Sequence, residues 1–297
     1  MSRTGEAIDS GKEFVFNLRD FERVREIIYR RAGISLSDSK QEMVYSRLAR
    51  RLRATGIQSF SIYLDMLERE INSPEWESFT NALTTNLTSF FREEHHFPVL
   101  AEHVKKKSGP VRIWCSASST GEEPYSIAMT VCEAFGTLKP NVKIIATDID
   151  TNVLATAARG VYNLDRIEKM APEKVKKFFL RGRGSNEGTA RVRPELRELI
   201  SFEQLNLLDA RWAIEGDFDV IFCRNVMIYF DKPTQANILR KFVPLLKPDG
   251  LLIAGHSENF VYVSDDFKLQ GKTVYVLVNK SEKHTAHKTF GSMKGEL

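Results

Sequence analysis

Val111-Arg-Ile-Trp-Cys-Ser-Ala-Ser-Ser-Thr-Gly-Glu-Glu-Pro-Tyr125 is the stretch whose reading fixes the architecture. Its first five residues read as a buried strand, 116–121 as a loop of small residues, and Pro124 as the first turn of a helix reaching about Phe135. Strand, short loop and helix in that order open a parallel sheet. Small residues let a ligand approach the backbone closely. The loop lacks the Gly-x-Gly-x-x-Gly spacing of dinucleotide binding. Glu122 and Glu123 would repel a phosphate. They suit a cationic ligand such as an ammonium or a sulfonium, and they equally complement the helix dipole.

The same texture continues toward the C-terminus. Residues 142–146 read as a second strand and 152–159 as a helix. Further strands are expected at 200–205, 218–222, 251–254 and 274–278, with a helix over 234–246. Such alternation predicts an α/β, Rossmann-like sheet, mostly parallel and covered on both faces, with its ligand at the carboxyl ends of the strands. One segment interrupts it. Phe178-Phe-Leu-Arg181, a Gly-rich turn and Thr189-Ala-Arg-Val-Arg193 read as a hairpin, a small antiparallel β insertion over about 176–198.

Upstream, residues 20–80 carry helical periods only. Phe21, Val24, Ile27 and Ile28 share one helix face, which stops at Gly33. A second helix runs over 39–55 to Gly56; Tyr63, Leu64 and Leu67 mark a third, and Pro74 opens a fourth. The expected organisation is a helical domain over 18–88 and a sheet domain over 89–280, with disordered ends at 1–17 and 281–297.

Composition narrows the class. The chain has 297 residues, 42% hydrophobic and 28% charged, with net charge +4. That excludes a disordered, collagen-like or disulfide-stapled chain. Cys115, Cys132 and Cys223 lack the spacing of a disulfide framework or a zinc site. No stretch resembles a signal peptide or a membrane span. A cytoplasmic protein is expected.

Asp148 ends the second strand, where an acid accepts hydrogen bonds from ribose hydroxyls. Asp150 competes for that role or caps the next helix. Small loop, acidic helix start and strand-end acid together indicate an adenosine cofactor carrying positive charge, such as S-adenosylmethionine. Arg224, Asn225 and Tyr229 follow the 218–222 strand and would face the ligand; Tyr229 alone also reads as a core aromatic. Arg92 closes a polar run from Asn81 and suits bidentate binding of a carboxylate, or stands on a linker. His95, His96 and His103 lack the company of a metal site and read as cap or surface residues.

Asn81-Ala-Leu-Thr-Thr-Asn-Leu-Thr-Ser-Phe-Phe-Arg92, Ser119-Thr-Gly-Glu-Glu-Pro-Tyr-Ser126, Ala146-Thr-Asp-Ile-Asp150, Phe222-Cys-Arg-Asn-Val-Met-Ile-Tyr-Phe-Asp231 and Gly255-His-Ser-Glu-Asn259 closely resemble the bacterial chemotaxis receptor methyltransferases, the CheR family. The resemblance spans about Asp20 to Val278. It implies an S-adenosylmethionine-dependent enzyme that methylates glutamates on the cytoplasmic helices of chemoreceptors. It implies cofactor contacts at Asn86, Thr88, Arg92, Glu123, Asp148, Asn206, Leu207, Arg224 and Asn225. It places Arg92 and Tyr229 beside the reacting groups and requires no metal.

Chemoreceptor helices are acidic around their methylated glutamates, so a basic complement is expected. On the second helix Lys40, Arg47, Arg50 and Arg53 lie on one broad face, either solvated or against the receptor. Between Lys176 and Arg193 six basic residues face one acid, Glu187. Some family members dock a receptor C-terminal peptide on the insertion by strand addition. Here an edge near 189–193, with Arg181 and Arg191 meeting a carboxylate, is the expected place. A monomer is expected. Nucleic-acid methylation is disfavoured because Cys223-Arg-Asn-Val226 is not an Asn/Asp-Pro-Pro-aromatic run, and a nicotinamide oxidoreductase lacks its glycine fingerprint.

Overall fold

The computed structural model describes residues 12–278. The tail expected at 281–297, and residues 1–11 of the expected N-terminal one, lie outside the described residues. The chain divides into two compact units between Thr84 and Thr85.

The first unit holds α1 (Leu18–Ala32), α2 (Gln41–Thr55), α3 (Phe60–Arg69) and α4 (Glu75–Leu83). Local chemistry sets their ends. Asn17 and Asp20 form a reciprocal capping box on α1, and Gly33 closes it at φ 68°. Gly56 closes α2 at φ 71°. Phe21, Val24, Ile27 and Ile28 are buried, as are Val44, Leu48 and Leu52 of α2. Residues 12–17 depart from the expected disorder. Phe14 is buried, and the Phe16 ring packs tilted against Phe60 at 4.5 Å between centroids. Two aromatics bury enough area to offset the ordering of a short segment. Lys40 also departs from its expected place. It ends the 3-10 turn Asp38–Lys40 and is the N-cap residue of α2, not a position along its face.

The second unit runs α5 (His96–Lys105), β1 (Val111–Cys115), α6 (Glu122–Phe135), β2 (Val142–Asp148), α7 (Thr151–Arg159), β3 (Val161–Asn163), α8 (Pro172–Phe178), β4 (Phe179–Arg181), β5 (Thr189–Val192), α9 (Pro194–Arg197), β6 (Ile200–Gln204), β7 (Phe218–Cys223), α10 (Lys232–Phe242), β8 (Leu246–Ala254), β9 (Phe267–Gly271) and β10 (Val274–Leu277). Seven strands form one sheet in the order β6-β2-β1-β7-β8-β10-β9. The first five pair in parallel, and β10 inserts antiparallel between β8 and β9. The α/β sheet expected from the alternation is the one observed.

Both faces are buried. Ile113, Ile144, Val220, Phe222 and Ile253 point into one core; Trp114, Ile145, Ile221, Cys223 and Leu252 point into the other. This period of two explains the continuously apolar strands. The strand order reverses between β1 and β7, so a crevice opens at their carboxyl ends.

The small sheet corrects two expectations. It has three strands in the order β3-β5-β4, so it begins at Val161 rather than near 176. Its central strand is β5, so residues 189–192 offer no edge; the open edges are β3 and β4. Arg181 pairs opposite Ala190 and Arg191 opposite Leu180. Directly paired residues share a face, so the two arginines project from opposite faces of the sheet. The three residues of β3 are too few to show a period, which is why the sequence hid the third strand.

Candidate active site at the carboxyl ends of the sheet

Asp148 sits at the tip of β2, 8% exposed. Its carboxylate accepts the backbone N–H of Ser119 (2.8 Å) and of Asp150 (3.0 Å). Burial pushes its pKa up to about 6, against the opposing pull of these N–H groups. The Ser119 hydroxyl donates to the Asn86 carbonyl (3.1 Å), and the Asn86 amide donates to Asp150 (2.8 Å). Asp150 also accepts from the N–H of Asn152 and Val153, which makes it the cap of α7. Beyond β6, the N–H of Leu205 donates to the Asp148 carbonyl, which sets Asn206 and Leu207 next to β2.

A second cluster lies at the tip of β7. Arg224 is 4% exposed and pairs with Glu123 and, at 3.2 Å, with Glu93. It also donates to the Arg92 carbonyl. Glu93 accepts from the Asn225 amide (3.1 Å) and from the His256 N–H (3.0 Å). Burial alone would raise the Glu93 pKa, but these donors and the Arg224 charge hold it below the ordinary value. His96, packed 3.8 Å from Glu93, is pushed down to about 4 by burial and is neutral at pH 7. Two carboxylates therefore face one guanidinium, and the cluster carries a net negative charge.

Arg92 itself donates to the Leu87 carbonyl (2.8 Å) and has no carboxylate partner among the described residues. The turn after β7 is fixed by Glu258. Its buried carboxylate accepts four backbone N–H groups: Gly255 (2.6 Å), Asn225 (2.9 Å), Val226 (3.0 Å) and Met227 (2.7 Å). The Gln235 amide holds the same turn from its carbonyl side, at Met227 and Phe230. Tyr229 ends the 3-10 turn Met227–Tyr229, half-buried. Asn225 adopts φ 58°, Ser119 φ 47° and Glu93 φ 52°. Such strained residues gather where surrounding structure holds a functional geometry.

Hydrogen bonds thus tie Asn86 to the Asp148 loop through Ser119 and, in a second group, tie Arg92, Glu123 and Asn225 to Arg224, the last through Glu93. The basic residues of α2 do not act alike. Arg47 donates to the Ala82 (3.4 Å) and Thr84 carbonyls and closes the end of α4, so its charge is already engaged. Arg53 pairs with Glu13, whereas Lys40 and Arg50 are exposed with no partner among the described residues. Glu122 departs from the cationic-ligand reading: it is fully buried and held by Arg166 and by Thr120 (2.6 Å). His96 departs from a surface role, being buried against Lys272 and Thr273. The sequence reading missed Glu93, Glu258, Gln235 and Arg166. Glu258 lay inside the Gly255–Asn259 match, and Glu93 directly follows the Asn81–Arg92 run.

A mostly parallel sheet with its crevice at a reversal of strand order, an acid at the second strand tip and a net negative cluster at the fourth define a Rossmann-like protein with a site suited to a cationic nucleoside cofactor. Residues 86–276 match the family model described as "CheR methyltransferase, SAM binding domain", and 19–84 match "CheR methyltransferase, all-alpha domain". The chain is 56% identical over 257 residues to the chemotaxis protein methyltransferase of Salmonella typhimurium, covering 86% of this chain and 89% of that protein. It is 54% identical over 275 residues to chemotaxis protein methyltransferase 2 of Pseudomonas aeruginosa, covering 92% and 98%. The chain belongs to the CheR methyltransferase family, and its cofactor is S-adenosylmethionine.

The residues present fit that cofactor. The Asp148 carboxylate suits ribose hydroxyls, the negative Glu93–Arg224–Glu123 cluster suits a cation, and the buried Ser118 hydroxyl has no hydrogen-bond partner. No group of three or more metal-ligating side chains occurs among the described residues. No helix among them is long and apolar enough to cross a membrane.

Proposed function

We propose that this chain methylates glutamate side chains on the cytoplasmic helices of chemoreceptors, forming γ-methyl esters that adapt the receptors in chemotaxis. The observation that carries this reading is the identity with chemotaxis protein methyltransferases, which extends over both units of the chain. On this reading the enzyme is cytoplasmic, monomeric and recruited to receptor arrays.

S-adenosylmethionine supplies an electrophilic methyl group on a sulfonium sulfur. A glutamate is ionised at pH 7, so its carboxylate attacks without a general base. The protein's contribution is orientation. Asp148 holds the sugar, with Asn206 and Leu207 beside it. Glu123 and the cluster around Arg224 and Asn225 hold the cationic end. Asn86 and Thr88 line the segment leading to Arg92. Arg92, free of an internal acid, aims the substrate carboxylate, and Tyr229 holds the reacting geometry. Lys40 and Arg50 offer free charge to an acidic receptor helix, with Arg53 available at the cost of a surface ion pair. Arg47 serves by closing α4. Arg181 on the open β4 edge fits a receptor C-terminal peptide better than Arg191, which sits on the central strand.

The test is incubation with labelled S-adenosylmethionine and receptor-containing membranes. Base-labile methyl esters on receptor glutamates are expected; label that resists base, or label on nucleic acid, refutes the reading.

A further inference from the structure

Residues 85–92 form neither helix nor strand, yet they carry Asn86, Thr88 and Arg92. Without a backbone ladder, such a segment depends on side chains to hold it. The small sheet supplies them. Phe90 packs edge-on to Tyr162 of β3 at 5.0 Å and to Phe179 of β4 at 5.5 Å. The Tyr162 hydroxyl donates to the Thr120 carbonyl (2.7 Å), inside the loop between β1 and α6. Arg166, three residues beyond β3, donates through Nε to Glu122 (3.1 Å). Its terminal nitrogen reaches both Glu122 and the Thr88 carbonyl, the latter at 3.0 Å. One guanidinium therefore joins the start of α6 to the segment before Arg92.

We propose that Arg166 is a positioning residue for cofactor binding. It fixes the 85–92 segment through the Thr88 carbonyl while neutralising the buried Glu122. The small sheet is then part of the cofactor site's scaffold as well as a candidate docking element. The inference rests on the reading of Thr88 as a cofactor contact. The planar fork of arginine serves two acceptors at once; a lysine at 166 would neutralise Glu122 but leave Thr88 unheld.

The experiment is calorimetric titration of the full-length protein and its variants with S-adenosylhomocysteine, with melting temperatures alongside. Arg166→Lys is expected to weaken binding several-fold with little change in melting temperature. Arg166→Ala is expected to weaken it about tenfold or more, the scale of a lost charge-assisted hydrogen bond. The Arg166→Ala/Glu122→Gln double variant removes the stranded buried charge; it is expected to regain thermal stability but not affinity. In turnover, KM for S-adenosylmethionine is expected to rise in step with the loss of S-adenosylhomocysteine affinity. Double-variant affinity within twofold of the parent's overturns the proposal, because Arg166 would then serve only to neutralise Glu122. Parental affinity in Arg166→Lys overturns it as well. A parent protein that takes up no S-adenosylhomocysteine overturns the cofactor assignment together with this inference, so the two failures are distinguishable.

Discussion

Arg224 satisfies two carboxylates almost out of reach of water, and that arrangement governs what substitution there does. Arg224→Ala leaves the buried Glu123 and the half-buried Glu93 without their cation, a loss of about 3 kcal/mol. A clear drop in melting temperature, together with loss of cofactor binding, is expected by calorimetry. Asp148 responds to pH. Its folded pKa of about 6 stands above the ordinary 3.8, so folding favours the protonated form. The associated stability, about 3 kcal/mol, is fully present below the unfolded value and is lost as pH rises through 6. On the proposed ribose contact, cofactor binding pulls the other way, because hydroxyls donate to the ionised form. S-adenosylhomocysteine affinity is therefore expected to fall as pH drops below about 6, with proton release on binding, and Asp148→Asn should flatten that dependence. Arg92→Ala should lower turnover about a hundredfold with an unchanged melting curve; near-parental methyl transfer would remove Arg92 from the mechanism. The place of Asp148 at the end of β2 was legible because an apolar run stops at it. Glu93 and Arg166 were not, because their partners lie far along the chain and only the fold brings them together.

The turns between strands and helices decide where these side chains stand. Gly121 precedes α6 at φ 100°, and a Cβ there would lie 2.7 Å from the Tyr162 hydroxyl and 2.8 Å from the Ala157 Cβ. Gly121→Ala is expected to cost about 2 kcal/mol or more and to weaken cofactor binding, measurable by denaturant melts and calorimetry. Helix α2 separates two kinds of arginine. Arg50→Glu should slow receptor methylation at low salt with stability intact, whereas Arg47→Glu should also destabilise the fold, since Arg47 closes α4. Equal rates for Arg50→Glu and the parent at low salt would return that face to a solvated surface. Strands β1, β2 and β7 were readable from apolar runs, and α1 and α2 from their period and closing glycines. The β4–β5 hairpin was readable too, but its register was not. Nothing local marks Val161–Asn163 as the strand that makes β5 central.

Every candidate cofactor contact, from Asn86 to Asn225, falls after the division at Thr84, within one unit. A chain beginning at Thr85 is therefore expected to bind S-adenosylhomocysteine with near-parental affinity while methylating receptors poorly. Equal receptor methylation by the shortened chain would show that the helical unit contributes nothing to substrate choice. The two-part layout was visible in the change of texture near Pro110, where helical periods give way to apolar strand runs. The exact division was hidden, because residues 84–95 carry no repeating pattern in either idiom.

All three native thiols, Cys115, Cys132 and Cys223, are buried and free, and burial raises the pKa of each. Thiolate is the reactive form, so maleimides and mild oxidants meet little of it. A single cysteine engineered onto the β4 edge would accept a fluorophore without a cysteine-free background, which makes the small sheet directly observable by spectroscopy in otherwise native protein.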